Sequence, residues 1–351
     1  MNIKSYLLRF AEPYHIGWRR AKSLVNNFTL QRAIISVSYM AGLNGERLEE
    51  CRLSSMLPAI PGKGGCYHVL LPVPSLPMRF KASKLGLRWF TLGAARALAA
   101  RADKLCDGSI TLDANPSSMG YEILLRGRDG LMERLYIVNV VETKDGREIT
   151  LSDGILVTED ETRTIRWDRV PVSLFKDVRI WRNRIDRVTG APDLFLVEGF
   201  KAIVDIAILI DCPHISHTVL HSLLELLGRL GVGGLRSIGW GKFTLVEGSL
   251  CGNYGEEVFR WRGRGYYVLL GSYHDRGEDV IEWSRSFINV DTIEGLAGPP
   301  YFEYRLPYIR LAGTGSILYL KSEPRPIIER IGDNGLEASI VLNPLTVHGG
   351  G

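Results

Sequence analysis

Glutamine is almost missing from this chain: Gln31 stands alone among 351 residues. Such scarcity points to a thermophilic source, where amide side chains are a liability. Cysteine is sparse as well. Cys51, Cys66, Cys106, Cys212 and Cys251 are odd in number and include no C-x-x-C pair. That argues against a disulfide framework and against a zinc knuckle, and favours a reducing cytoplasm. No apolar run approaches the ~20 residues a membrane span needs, and no signal peptide opens the chain, so no membrane partner is expected. Charge of one sign is lacking too: 43 Lys and Arg against 39 Asp and Glu leave a net charge of +4. Any nucleic-acid partner must therefore be held by local patches, not by bulk charge.

What is present is the composition of a globular protein, 45% hydrophobic and 23% charged, long enough for two domains. Residues 3–10 read as an opening strand, broken at Pro13 and followed by His15-Ile-Gly17. Leu30, Ala33, Ile34, Val37 and Met40 share one helix face, predicting an amphipathic helix over 29–42. The pattern returns later. Residues 203–211 alternate as a strand, and Val219, Leu220, Leu223, Leu224, Leu227 and Leu230 form the apolar stripe of a helix over 216–230. Strand-like Phe243–Gly248 and Tyr266–Leu270 follow. Strand–helix–strand units returning twice predict an α+β fold of two ferredoxin-like (RRM-like) domains, 1–200 and 201–351. The first carries a long insertion, about 44–175, that reads as irregular apart from an Ala-rich helix near 92–105.

The most informative stretch is Gly231-Val-Gly-Gly-Leu-Arg-Ser-Ile-Gly-Trp-Gly-Lys242. Gly231, Gly233, Gly234, Gly239 and Gly241 fall between an apolar helix and a strand. Glycines let a polyanion approach main-chain N–H groups, and Arg236, Ser237 and Lys242 add donors for phosphate. Neither a Walker loop nor a dinucleotide fingerprint fits: Arg236, Phe243 and Thr244 stand where those motifs need other residues. A second stretch runs from Trp181 to Phe195. Arg182, Arg184 and Arg187 alternate with Asn183 and Asp186, Thr189-Gly190 gives a turn, and Leu194-Phe195 starts a return strand. This is a β-hairpin, about 178–198, with an arginine-rich arm. Arginine forks match phosphate geometry, and Asp186 is placed to hold one or more of them.

Gly231–Lys242 resembles the glycine-rich loop of the repeat-associated mysterious proteins, an RNA-binding superfamily of CRISPR effector complexes. Arg182-Asn-Arg-Ile-Asp-Arg187 with Thr189-Gly190 is similar to an element found in subunits of the type III branch. The opening strand with Pro13 and His15-Ile-Gly17 resembles the start of the fourth subunit of the type III-A (Csm) complex. So does Leu70–Pro77, followed by basic residues Lys81, Lys84 and Arg88. The four regions come in the expected order over most of residues 1–245.

The resemblance implies a non-catalytic RNA-binding subunit that needs no metal or cofactor. It would cap the 5′ repeat-derived handle of the crRNA and dock both the large polymerase-like Csm subunit and the first of the repeating backbone Csm subunits. It places the handle grip on Gly231, Gly233, Gly234, Arg236, Ser237, Gly239, Trp240, Gly241 and Lys242. Arg182, Asn183, Arg184, Asp186 and Arg187 fall on a projecting thumb hairpin that displaces a nucleotide, and His15 lies near the RNA. Aromatic faces would stack splayed bases. After residue 250 no motif matches.

Other clusters carry less. His217, His221 and Glu225 share a helix stripe, with Cys212 and His214 nearby, in the manner of metal ligands; a polar helix face explains them as well. His274-Asp275 lacks the companions of a phosphohydrolase dyad. Arg260-Trp-Arg-Gly-Arg-Gly-Tyr-Tyr267 interleaves basic and aromatic residues, which suits either RNA contact or an exposed turn. One rival function is a CRISPR-type endoribonuclease with His15 as general base. Such enzymes carry their glycine loop close to the C-terminus, unlike this chain. A second is a target-cleaving backbone subunit, for which Glu12 is the only acidic candidate after the first strand.

Overall fold

A computed structural model describes residues 3–17, 21–77, 85–127, 132–142, 148–185, 189–252, 254–295, 306–331 and 338–349. The fold is α+β, and the opening strand Ile3–Phe10 organises it. Tyr6, Leu7 and Leu8 are all buried, so both faces of this strand are covered. It runs antiparallel to Asp205–Asp211 on one side and to Phe243–Val246 on the other, with Leu8 opposite Ile206 and Leu245. Asp205–Asp211 pairs in turn with Leu57–Pro61.

Two helices join these strands, and both form for local reasons. In Asn27–Met40, Leu30, Ile34 and Val37 face inward, and Gly42 at φ +74° follows the end. In His217–Leu230 the Ser216 hydroxyl accepts a hydrogen bond from the Val219 N–H at 3.3 Å, while Leu220, Leu223, Leu224 and Leu227 are buried. The helices pack on each other. Numbered by their order along the chain, the four strands lie 4-1-3-2 across the sheet, the arrangement of a ferredoxin-like βαββαβ unit. Its first and third strands are far apart in sequence: the Arg9–Asp205 ion pair between them spans 196 positions. The unit therefore runs through the expected boundary at 200/201, because strand pairing follows hydrogen bonding and not chain proximity.

The stretch 44–175 is not irregular. Beyond Leu57–Pro61 it supplies Cys66–Pro72, Leu87–Thr91, Glu148–Thr158, Met132–Glu142, Gly120–Gly127 and Ile110–Ser117, which extend the same sheet in that spatial order. A second sheet has the order Ile281–Phe287, Ile317–Leu320, Gly265–Leu269, Thr346–His348. The Ala-rich segment, Leu92–Ala100 followed by Ala102–Cys106, lays its first helix against Gly265–Leu269. The insertion and the last hundred residues thus share a core.

The cysteines correct the expectation from their spacing. Cys51 bonds Cys212 and Cys66 bonds Cys251, leaving Cys106 as the exposed free thiol. Partners 161 and 185 positions apart form no local motif, so only the fold reveals them. With two disulfides, cysteine usage no longer argues for a reducing compartment. Among the described residues, no helix is long and apolar enough to cross a membrane.

Candidate nucleic-acid interface

Three segments that are remote in sequence meet at the end of the opening strand. The glycine loop follows the helix His217–Leu230, whose last turn closes as the Gly231 N–H donates to the Leu227 carbonyl at 2.7 Å. It then folds back on itself, the Val232 N–H donating to the Gly241 carbonyl at 3.0 Å. Residues 13–16 fasten it from outside. The Gly241 N–H donates to the Pro13 carbonyl at 2.7 Å, and the Gly234 N–H to the His15 carbonyl at 2.8 Å. The same segment holds the hairpin root, since Tyr14 and Phe200 exchange both main-chain hydrogen bonds, at 2.8 and 2.9 Å. His15 joins the two ends: its Nδ1–H donates to the Glu198 carbonyl at 2.6 Å. A carbonyl only accepts, so Nδ1 is the ring nitrogen that carries a proton in this contact.

The loop glycines divide into two kinds. Gly231, Gly233 and Gly241 have positive φ, and a Cβ at each would strike protein backbone: the Trp240 carbonyl at 2.6 Å, the His15 carbonyl at 2.4 Å and the Val232 carbonyl at 2.1 Å. These three are glycine so that the chain can pack on itself. Gly239, at φ +91°, has nothing within 4 Å of its Cβ position. Gly234 is exposed, and a Cβ there would meet only His15, its ring at 3.1 Å and its carbonyl at 3.7 Å. The outer rim is therefore Gly234, Arg236, Ser237, Gly239 and Lys242, whose side chains face solvent at Arg236, Ser237 and Lys242. Leu235 holds φ +61°, a strained value for a branched side chain, at the start of the short helical turn Arg236–Ile238.

Trp240 requires a correction. It is 4% exposed and so offers no face to a base. Its ring lies where a Cβ on Gly199 would be 2.5 Å from Cζ3, which wedges the loop against the hairpin root. Gly199 and Glu198 are the site residues that sequence reasoning missed. The available signal was a glycine inside a strand, which marks a close backbone approach.

The hairpin itself is longer than expected, Phe175–Ile185 against Pro192–Ala202, and forms its own two-stranded sheet. Residues directly opposed share a face, so the register separates two chemistries. One face carries Arg182 with Phe195 and Arg184 with Asp193; the other carries Trp181 with Leu196, Asn183 with Leu194 and Ile185 with Pro192. Trp181, Leu194 and Ile185 are 70%, 68% and 64% exposed. Arg184 pairs with Asp193 at 2.8 Å, and Arg179 pairs with Glu198 at 3.3 Å. Asp186 and Arg187 lie outside the described residues, as do Lys81 and Lys84. At the root, a cavity of about 720 Å³ is lined by Arg88, Trp89, Asp153, Phe175, Lys176 and Phe200 among others.

The remaining candidates separate. His217 stacks on Tyr6 at 5.5 Å, His221 approaches Glu225 at 4.0 Å, and His214 pairs with Glu50 at 3.0 Å. Cys212 is in a disulfide. Asp275 is buried and accepts from the Gly277 and Ile281 N–H groups, so it shapes its own turn. The arrangement at the loop and hairpin offers outward cations and the Ser237 hydroxyl on a rigid base, which is chemistry for a phosphodiester chain.

No family profile matches the sequence, and no curated protein matches it. Among solved structures, the chain is similar to one in the cryo-EM structure of the Type III-B Cmr-beta bound to cognate target RNA and AMPPnP. That match has a TM-score of 0.45 and 11% identity, over 90% of this chain and 86% of that one. A chain of the Cmr-beta bound to cognate target RNA gives 0.43 and 11% over the same shares. One of the apo state gives 0.30 and 12% over 70% and 96%. At these scores the likeness is a partial one of shape, and no residue role is transferred.

Proposed function

We propose that this protein is a non-catalytic crRNA-binding subunit of a type III-A CRISPR (Csm) interference complex. It caps the 5′ handle and bridges the large polymerase-like subunit to the repeating backbone subunits, in the cytoplasm. The observation that carries the reading is the meeting of the glycine loop, the 13–16 segment and the hairpin root in one surface. Each of the three motifs resembled the superfamily separately, and the fold fastens them together through His15, Glu198, Gly199 and Trp240. Handle phosphates lie along Gly234, Arg236, Ser237, Gly239 and Lys242, and Arg182 and Arg184 extend the cationic track along one face of the hairpin. His15 acts as a fastener here.

The test is binding of RNA with and without the handle to the purified chain across a salt series. Handle-bearing RNA binds more tightly, and Arg236→Ala with Lys242→Ala lowers the salt slope by ~0.7 for each phosphate no longer neutralised. With or without magnesium, the RNA stays intact. Cleavage at a fixed position that disappears in His15→Ala, or affinity indifferent to the handle, overturns the proposal.

A further inference from the structure

The arginine- and aromatic-rich segment Arg260–Tyr267 plays no part in the loop and hairpin surface, yet it is built with care. Tyr267 sits on the strand Gly265–Leu269 of the second sheet and is almost wholly buried. Its hydroxyl accepts from the Arg262 N–H at 2.9 Å and donates to the Gly263 carbonyl at 2.9 Å. Trp261 stacks on the Tyr267 ring with centroids 4.8 Å apart. Gly263 takes φ +94° with nothing near its Cβ position. One buried ring therefore sets the shape of the turn from three directions.

The charges on this turn are unspent. Arg262 and Arg264 are exposed and form no ion pair among the described residues. Acids on or beside the same sheet are already engaged, Asp279 with Lys321 at 2.7 Å and Glu282 with Arg285 at 3.9 Å, while Glu323 holds Arg52 at 2.8 Å. A further guanidinium arrives from the insertion. Arg96, on the helix Leu92–Ala100, donates from Nε to the His348 carbonyl at 3.3 Å and lies 6.0 Å from the Tyr254 ring centre. Burial, then Arg262 and Arg96, hold the His348 imidazole below its usual range, so both arginines lie within electrostatic reach of that ring. Glu161 acts on the Tyr254 ring beside Arg96 and Glu323 on the Tyr267 ring, but neither forms an ion pair with Arg262 or Arg264 among the described residues. Like charges gathered from separate segments cost stability unless an anion joins them.

We propose that Arg96, Arg262 and Arg264, with Trp261 and His348 beside the turn and Tyr254 beside Arg96, form a second RNA contact that holds the phosphodiester backbone of a single strand without reading its sequence. Arg262 and Arg264 are exposed, with Arg96, Trp261, Tyr254 and His348 half-buried behind them, which suits an extended polyanion better than a small phosphate. Aromatic rings interleaved with arginines suit a stacked single strand. The inference rests on the proposed function only in taking RNA as the polyanion; it does not require the handle.

The experiment compares the wild-type chain with Arg262→Ala/Arg264→Ala and Arg262→Lys/Arg264→Lys, on handle-bearing RNA and on a longer handle-bearing RNA with a single-stranded extension. The double alanine variant loses several-fold affinity for the long RNA, with a salt slope shallower by ~1–1.5. It binds the handle alone as before, and the double lysine variant keeps the slope. Unchanged affinity and slope in a folded double alanine variant overturn the second contact while leaving the loop and hairpin site standing. Loss of complex assembly with RNA binding intact also overturns it, by assigning the patch to an acidic protein surface. A wild-type chain that binds neither RNA removes the proposed function itself.

Discussion

Gly241→Ala is the sharpest perturbation of the glycine loop. Gly241 holds φ +76°, and the new Cβ would stand 2.1 Å from the Val232 carbonyl oxygen. Left-handed backbone strain contributes ~1–2 kcal/mol. The hydrogen bonds of Gly241 to Val232 and Pro13 are the ones displaced, at about 1 kcal/mol each. Crowding in a closed space adds ~1–3 kcal/mol, and since these effects overlap the expected loss is about 4 kcal/mol. Gly239→Ala is the matched control, because φ is again positive at +91° while its Cβ position is open. Strain alone then costs ~1–2 kcal/mol. Urea unfolding followed by circular dichroism reads both variants against the wild type, with the m-value as a check that the unfolded reference is unchanged. Equal losses in the two variants would refute the division of the loop into packing glycines and rim glycines.

Three further outcomes follow from other parts of the fold. Reduction of the Cys51–Cys212 and Cys66–Cys251 disulfides should lower the unfolding midpoint markedly, since each closes a long loop and is worth ~2–5 kcal/mol; an unchanged melt in excess dithiothreitol would count against both bonds. Burial pushes the Glu161 carboxyl up, but His68 at 3.7 Å, with hydrogen bonds from the Thr158 N–H and the Thr91 hydroxyl, outweighs it and holds the carboxyl below its ordinary value. Its stabilisation is therefore present above pH ~4.5 and lost as pH falls through the lower folded value, so Glu161→Gln should flatten the acid limb of the stability profile and cost ~1.5–3 kcal/mol at neutral pH. Gly199→Ala should loosen the hairpin root, its Cβ meeting Trp240 and the Tyr14 carbonyl at 2.5 Å. Faster amide exchange at Phe200 than at Leu209 would report that, and identical protection would contradict it.

Local features were readable in the sequence and distant ones were not. Both helices of the ferredoxin-like unit announced themselves through periodic leucines and isoleucines, and the strand at 3–10 through its apolar run. The hairpin was legible because Thr189-Gly190 sits between opposed strands. The partners of Ile3–Phe10 were hidden, since nothing near residue 3 specifies Ile206 or Leu245. The strands from Ile110 to Thr158 escaped notice because charged and glycine residues interrupt their alternation, while Ile123, Leu125, Leu135 and Ile137 supply the buried positions. The burial of Trp240, placed by the resemblance in the handle grip, depends on Gly199, forty-one positions earlier in the chain. The cysteine pairs, likewise, depend on contacts that no spacing rule contains.

The split ferredoxin-like unit has a consequence for synthesis. The ribosome delivers Ile3–Phe10 first, but its partner Asp205–Asp211 emerges roughly 200 residues later, about 10–40 s at ordinary elongation rates of ~5–20 residues per second. Through that interval a hydrophobic strand waits without a neighbour, while Leu57–Pro61 and the strands after it can pair with one another. The meander from Ile110 to Thr158 can thus pair before the opening strand finds a partner, and the end of that strand, where loop and hairpin root meet, closes only after Phe243–Val246 has emerged.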